Sequence, residues 1–149
     1  MCFEPEEVYY KPKLESQWVE RWKVFRTFRT VRFNPTVLGE DRICFLRFPY
    51  GIVPQGEVLV SSNVMGKNIA GKTWRRGFST FLTEEDAIFA SENFWDAQVW
   101  LNGLGQPIEN YAIRKVQCRG LLAKGEYDSP WSSTKKPCEL YNEMRTLND

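Results

Sequence analysis

The 149-residue sequence contains no histidine. That absence removes Ser-His-Asp and Cys-His nucleophilic arrangements, histidine general bases and histidine metal ligands together. Any enzyme built on this chain has to work with carboxylates, lysine, arginine, tyrosine or cysteine. The four cysteines, Cys2, Cys44, Cys118 and Cys138, are widely spaced and form no CxxC pair. A zinc site would need all four from four separate segments, so no metal or other cofactor is expected. Cys44 and Cys118 fall in apolar, strand-like runs, where a thiol acts as a small hydrophobe. Cys2 would become an N-terminal nucleophile if Met1 were removed, but nothing downstream supports that chemistry.

Charge of one sign is also missing. Twenty basic residues face 19 acidic ones, for a net charge of +1. A global basic footprint for nucleic acid is therefore excluded, and only a local patch could serve that purpose. No apolar run approaches the length of a membrane span and no secretory leader opens the sequence. The expectation is a cytoplasmic protein without membrane contact. No repeat of fixed period and no low-complexity tract interrupts the chain.

What is present is core-forming material. Hydrophobic residues make up 42% of the chain and aromatics 15%, enough for one ordered domain over 18–149, preceded by an arm at 1–17. The clearest stretch is Gly77-Phe78-Ser79-Thr80-Phe81-Leu82-Thr83-Glu84-Glu85-Asp86, which passes from strand to helix. Thr83 has N-cap chemistry, Asp86 completes a capping-box spacing, and three acids sit at the positive end of the helix dipole. Ala87, Ala90, Phe94, Ala97 and Leu101 then recur every three or four residues until Asn102-Gly103 stops the helix.

Around that helix, 84–101, the other segments read as strands. Within WVERWKVFRTFRTVRF, Trp22, Val24 and Phe28 alternate with Lys23, Phe25 and Arg29, placing the two sets on opposite faces. Ile43–Phe48, Glu57–Ser62 and Tyr111–Cys118 are further strands, and Cys138–Leu147 is better suited to a strand than to a helix. Residues 63–76 and 125–137 read as polar loops. The fold class is α+β: a curved, mostly antiparallel sheet of about five to seven strands with one main helix packed on it.

Three constellations carry candidate chemistry. Gly66-Lys67-Asn68-Ile69-Ala70-Gly71-Lys72-Thr73 matches the phosphate-loop pattern GxxxxGK[ST], but the residues after Lys72 lead to a strand and not to a helix. A glycine-rich loop is the plainer explanation. Basic residues interleave with aromatics at Arg21-Trp22-Lys23, Phe25-Arg26, Phe28-Arg29 and Trp74-Arg75-Arg76, a pattern that can hold nucleotides or single strands. A strand with core aromatics on one face and solvated arginines on the other explains the same letters. Arg47, Ser79 and Glu126 would be the counterparts of an ADP-ribosyltransferase-like NAD site, although a Ser-Thr-Ser triplet and a Glu-x-Glu pair are both missing.

Taken in order, WKVFR, FPYG and GEVLVSS, RGFSTFLTEEDA, IRKVQCRGLLAKGE and LYNEMRTL resemble a group of small α+β proteins of phages and bacteria. Their shared mark is a GF(H/S)xFxTxEDA strand-to-helix junction. The resemblance spans most of 22–147 and implies the fold and a viral origin, hence a host cytoplasm, but no activity. Ser79 stands where that pattern usually has histidine. The functional expectation is a non-catalytic binding protein, a phage accessory factor that inhibits or sequesters a host defence component. Its contact surface would be Lys67, Lys72, Trp74, Arg75 and Arg76 with Arg26 and Arg29, and its partner a protein or a small anionic or nucleotide ligand. The alternatives are the NAD-using transferase and, less favoured, a nucleic-acid binder. Aromatics exposed near the 66–76 loop would also suit a homo-oligomer.

Overall fold

The apolar run that begins at Tyr111 does not stop at Cys118. It continues through Gly120, Leu122 and Ala123 into one long strand, and the sheet is assembled on it. The computed structural model describes residues 2–13, 17–31, 42–48, 51–52, 56–62, 64–67, 71–92, 110–128 and 134–147, for some of them (including 26–31, 42–48 and 51–52) the backbone alone.

The long strand, β9 (Asn110–Asp128), has 19 residues. On one edge it pairs antiparallel with β10 (Lys135–Thr146), from Lys135 opposite Asp128 to Thr146 opposite Val116. Its other edge is shared by two strands. β1 (Cys2–Lys13) covers Asp128 to Leu121, and β2 (Val19–Val31) covers Cys118 to Asn110. The handover lies opposite Gly120, whose φ of +78° only glycine adopts cheaply. Nearby, the β10 register slips between Leu140 and Tyr141, and such bulges bend a strand.

β3 (Arg42–Phe48) extends the sheet from β2, and β4 (Gly51–Ile52) follows it. The outer edge of β10 is shared in the same way. β5 (Leu59–Val60) pairs with Met144 and Glu143, and β8 (Phe78–Thr80) pairs with Tyr141 to Glu139. Between them the chain leaves the sheet as a separate hairpin, β6 (Met65–Lys67) and β7 (Thr73–Arg75). Trp22 and Phe81 exchange backbone hydrogen bonds of 2.9 and 2.8 Å. The sheet thus curls until the end of β8 meets β2, without a continuous ladder to close it.

The expected α+β class, curved antiparallel sheet and single helix are therefore what the described residues adopt. Several finer expectations are corrected. The main sheet has eight strands among the described residues, because residues 2–13 of the supposed arm pair with β9. Residues 125–128 and 135–137 are strand and not loop. Their polarity reflects a wet strand end, and Gly125 lacks a Cβ because one would run into the Glu4 carbonyl oxygen across the ladder. Residues 63–76 contain a hairpin, and the 57–62 strand shrinks to two paired residues. Cys138–Leu147 does form a strand, β10.

The helix, α1, begins at Glu84 and is described as far as Glu92. Thr83 caps it as expected: its Oγ1 accepts from the Asp86 N–H at 3.2 Å. The Asp86 carboxylate turns instead toward Lys136, 3.7 Å away. Ala87 and Ala90 are fully buried against Phe81, Leu122, Tyr127 and Leu140, so two small residues let the helix lie close to the sheet. Phe94, Ala97, Leu101 and Asn102-Gly103 lie outside the described residues. Among the described residues no helix is long and apolar enough to cross a membrane.

A second cluster, on the other face of β2 and β9, holds Phe25, Val116, Cys118, Tyr141 and Met144. As far as Phe25 the alternation read in β2 is borne out, with Trp22 and Val24 on the first cluster and Phe25 in the second, while the side chains of Phe28 and Arg29 lie outside the described residues. Thr83→Ala should cost about 1 kcal/mol in urea denaturation. Gly125→Ala should cost more, on the order of 2 kcal/mol, because β1 must shift to admit a methyl group.

Candidate functional site

The expected contact surface was the glycine-rich hairpin, and its glycines prove to be structural. Gly71 turns with φ +83°, and a Cβ on Gly66 would lie 2.8 Å from the Trp74 ring. That ring is buried edge-on to Phe3, 5.6 Å between centroids, so Trp74 belongs to the core and is not a stacking platform at the surface. Thr73 opens a strand and not a helix, which removes the dipole a phosphate loop requires. Lys67, Lys72 and Arg76 are exposed, while Arg75 is half-buried. The exposed large apolar residues near the hairpin are aliphatic, Val58, Val60, Val64 and Met65, not aromatic.

The hairpin is better understood from its root. β5 and β8 lie end to end along one edge of β10, and residues 62–76 form an excursion from that edge between Asn142 and Tyr141. The Ser61 N–H donates to the Asn142 carbonyl at 2.8 Å. Asn142 Oδ1 accepts from Ser61 Oγ at 3.0 Å and from Arg75 Nη2 at 3.1 Å, tying both legs together. Gly77 brings the returning leg against the Tyr141 carbonyl, where a Cβ would sit at 2.5 Å.

Where the legs part, a cleft of about 360 Å³ opens between Leu59, Val60, Ser61 and Ser62 on one side and Arg76, Gly77 and Phe78 on the other. Lys23 of β2 also lines it. This lysine is only 7% exposed. Its Nζ donates to the Ser79 carbonyl at 2.9 Å and lies 3.5 Å from Ser79 Oγ, and no carboxylate among the described residues pairs with it. Burial pulls its pKa down from the usual 10.5 to about 8.

A second polar cluster sets the contrast. Glu139 is as buried as Lys23, yet its Oε1 accepts from Arg21 Nε at 3.0 Å and its Oε2 from the Tyr141 hydroxyl at 3.1 Å. Both oxygens of that carboxylate are satisfied, so the cluster is a closed structural network. Lys23 has no such compensation. A buried cation without a counter-charge destabilises a fold, and it recurs where a ligand supplies what is missing.

The NAD counterparts are not drawn together. Arg47 opposes Arg26, which opposes Tyr111 at the start of β9, whereas Glu126 lies near the far end of the same strand. Glu126 sits among acids: in its protonated form it donates a hydrogen bond to Glu6, and that bond, burial and nearby negative charge raise its pKa. Ser79 touches Lys23, which lines the cleft, but is not itself part of the lining, and the Arg47 side chain lies outside the described residues. Arg26 and Arg29 lie on the part of β2 that pairs with β3, away from the hairpin root, and their side chains lie outside the described residues. Cys118 and Cys138 are buried free thiols, and no group of three or more cysteines and acids gathers among the described residues to hold a metal.

No family model, curated protein or solved structure matches the chain. The site stands on its own chemistry. Sequence reasoning put Lys23 in phase with Phe25 but did not single it out. The available signal was a lysine sharing a strand face with a core aromatic.

Stability should follow this assignment through pH. Between about pH 8 and 9 the unfolded chain keeps a proton on Lys23 that the folded chain has released, so stability rises with pH. Above about pH 9 unfolded thiols ionise, while burial holds Cys118 and Cys138 neutral up to about 12, and stability falls. Thermal melts should therefore peak near pH 9. Lys23→Met should lose the rise, keep the alkaline fall, and be the more stable protein at pH 7 by up to about 3 kcal/mol.

Proposed function

We propose that this chain is a binding protein whose cleft at the hairpin root takes a small anionic ligand, with Lys23 and Arg76 as the cationic contacts and Leu59, Val60 and Phe78 as the apolar walls. The observation that carries this reading is Lys23 itself, a buried lysine that lines the cleft and whose amine pairs with no carboxylate among the described residues. An anion placed there would restore the missing counter-charge in a poorly solvated setting, where such a contact is strongest. Ser61 and Ser62 add hydroxyls, and Arg76 offers a planar fork suited to carboxylate or phosphate. The reading keeps the expected anion but moves its seat from the hairpin tip to the root. The resemblance to phage and bacterial proteins extends the proposal to sequestration of a host defence component that carries such a group, in the host cytoplasm.

Calorimetric titration with glycolate, inorganic phosphate and a nucleoside monophosphate tests it. An anion favours the charged amine, so binding near pH 8 should take up protons, read as a dependence of the heat on the buffer's ionisation enthalpy. Lys23→Met and Arg76→Gln should each weaken binding by tenfold or more, and the pair Lys67→Gln and Lys72→Gln should leave it unchanged. The reverse pattern would return the site to the hairpin tip. Binding of single-stranded nucleic acid that weakens steeply between about 50 and 200 mM salt would favour the nucleic-acid reading instead.

A further inference from the structure

We propose that the Lys23 amine captures a carbonyl group borne by the anionic ligand, forming an imine within the cleft. The inference rests on the anion-binding reading above and adds a covalent step to it. Three features of the geometry point there. Lys23 is one of the residues lining a space large enough for a small organic molecule, about 360 Å³. Among the described residues its hydrogen-bond partner is Ser79, and none of their carboxylates locks it as an ammonium ion. Arg76 lies in the same lining, placed to hold a carboxylate or phosphate on a molecule whose carbonyl faces Lys23. An ordinary structural lysine would send its ammonium group to solvent along its flexible stem, and this one does not.

Burial also makes the amine a nucleophile at neutral pH. With its pKa held near 8, its neutral share at pH 7–8 is on the order of 100-fold larger than that of a solvated lysine. In the step itself the nitrogen lone pair adds to the carbonyl carbon, and the C=O π pair moves to oxygen, which takes a proton. The carbinolamine then loses water as the nitrogen pair forms the C=N bond and the nitrogen gives up its remaining proton. Amine and carbonyl compound become imine and water, with no oxidant or reductant. Ser79 Oγ, 3.5 Å from Nζ, is the nearest hydroxyl to pass those protons.

Glyoxylate, which joins an aldehyde to a carboxylate, is the probe, and glycolate is its counterpart without the carbonyl. The folded protein is incubated with glyoxylate and cyanoborohydride at pH 7.5, then digested and mapped by mass spectrometry. The expected result is reductive alkylation at Lys23 at least tenfold above that at any other lysine, suppressed by excess glycolate and reduced several-fold in Arg76→Gln, which keeps the amine. Lys23→Met should leave only background labelling. Labelling spread evenly over exposed lysines such as Lys67, Lys72 and Lys115 would overturn the proposal. Glycolate binding with proton uptake but no Lys23 adduct would overturn the imine and leave the anion site standing. Absence of both adduct and glycolate binding would sink the two together.

Discussion

Paired backbone edges govern this protein. β9 is too long for any one neighbour to satisfy, and β10 is completed on its far side by two short pieces. Because buried N–H and C=O groups must find partners, each edge recruits two segments laid end to end. Where one segment gives way to the next the ladder lapses, and both lapses are informative. The lapse between β1 and β2 coincides with the left-handed Gly120 and bends the sheet. The lapse between β5 and β8 releases the hairpin and leaves the cleft at its base. The cleft is thus a by-product of how the sheet fills its edges, and it is held open by Asn142 and Gly77 where the legs return.

Within that frame the two buried ionic groups among the described residues behave oppositely. Glu139 is matched by Arg21 and Tyr141, and the cluster closes on itself. Lys23 lies at the mouth of the lapse, where its amine meets the Ser79 carbonyl and hydroxyl and the Phe25 ring but no carboxylate among the described residues. Had the fold needed a charge in that position for stability alone, a carboxylate partner would be expected beside it. Its absence among the described residues shifts the weight of the argument toward a ligand.

The parts of the fold written in local chemistry were legible in the sequence. Thr83 and the Ala87–Ala90 spacing identified the start and inner face of the helix, and the alternation through Trp22 and Phe25 gave β2 its two faces. The missed parts depend on pairing at long range. Nothing local in the Pro-containing 2–13 segment distinguishes an arm from a strand until β9 offers it an edge. Similarly, Gly125 to Asp128 read as a loop because their neighbours across the ladder were unknown. The GKNIAGKT match misled for the opposite reason: glycines needed for a turn and for the Trp74 ring copied the letters of a phosphate loop. Lys23 was hidden because a solvated lysine and a desolvated one look alike in a sequence.

The order of these elements along the chain has a consequence for synthesis. β9 and β10 are made after every strand they join, so β1, β5 and β8 emerge from the ribosome with no edge to dock on, and β2 with only β3 beside it. Until residues 110–146 arrive, an aromatic-rich set of unpaired strands is open to solvent, and folding has to wait for contacts distant in sequence. Newly made chains of this topology should thus depend on holding chaperones during translation more than their modest length would imply.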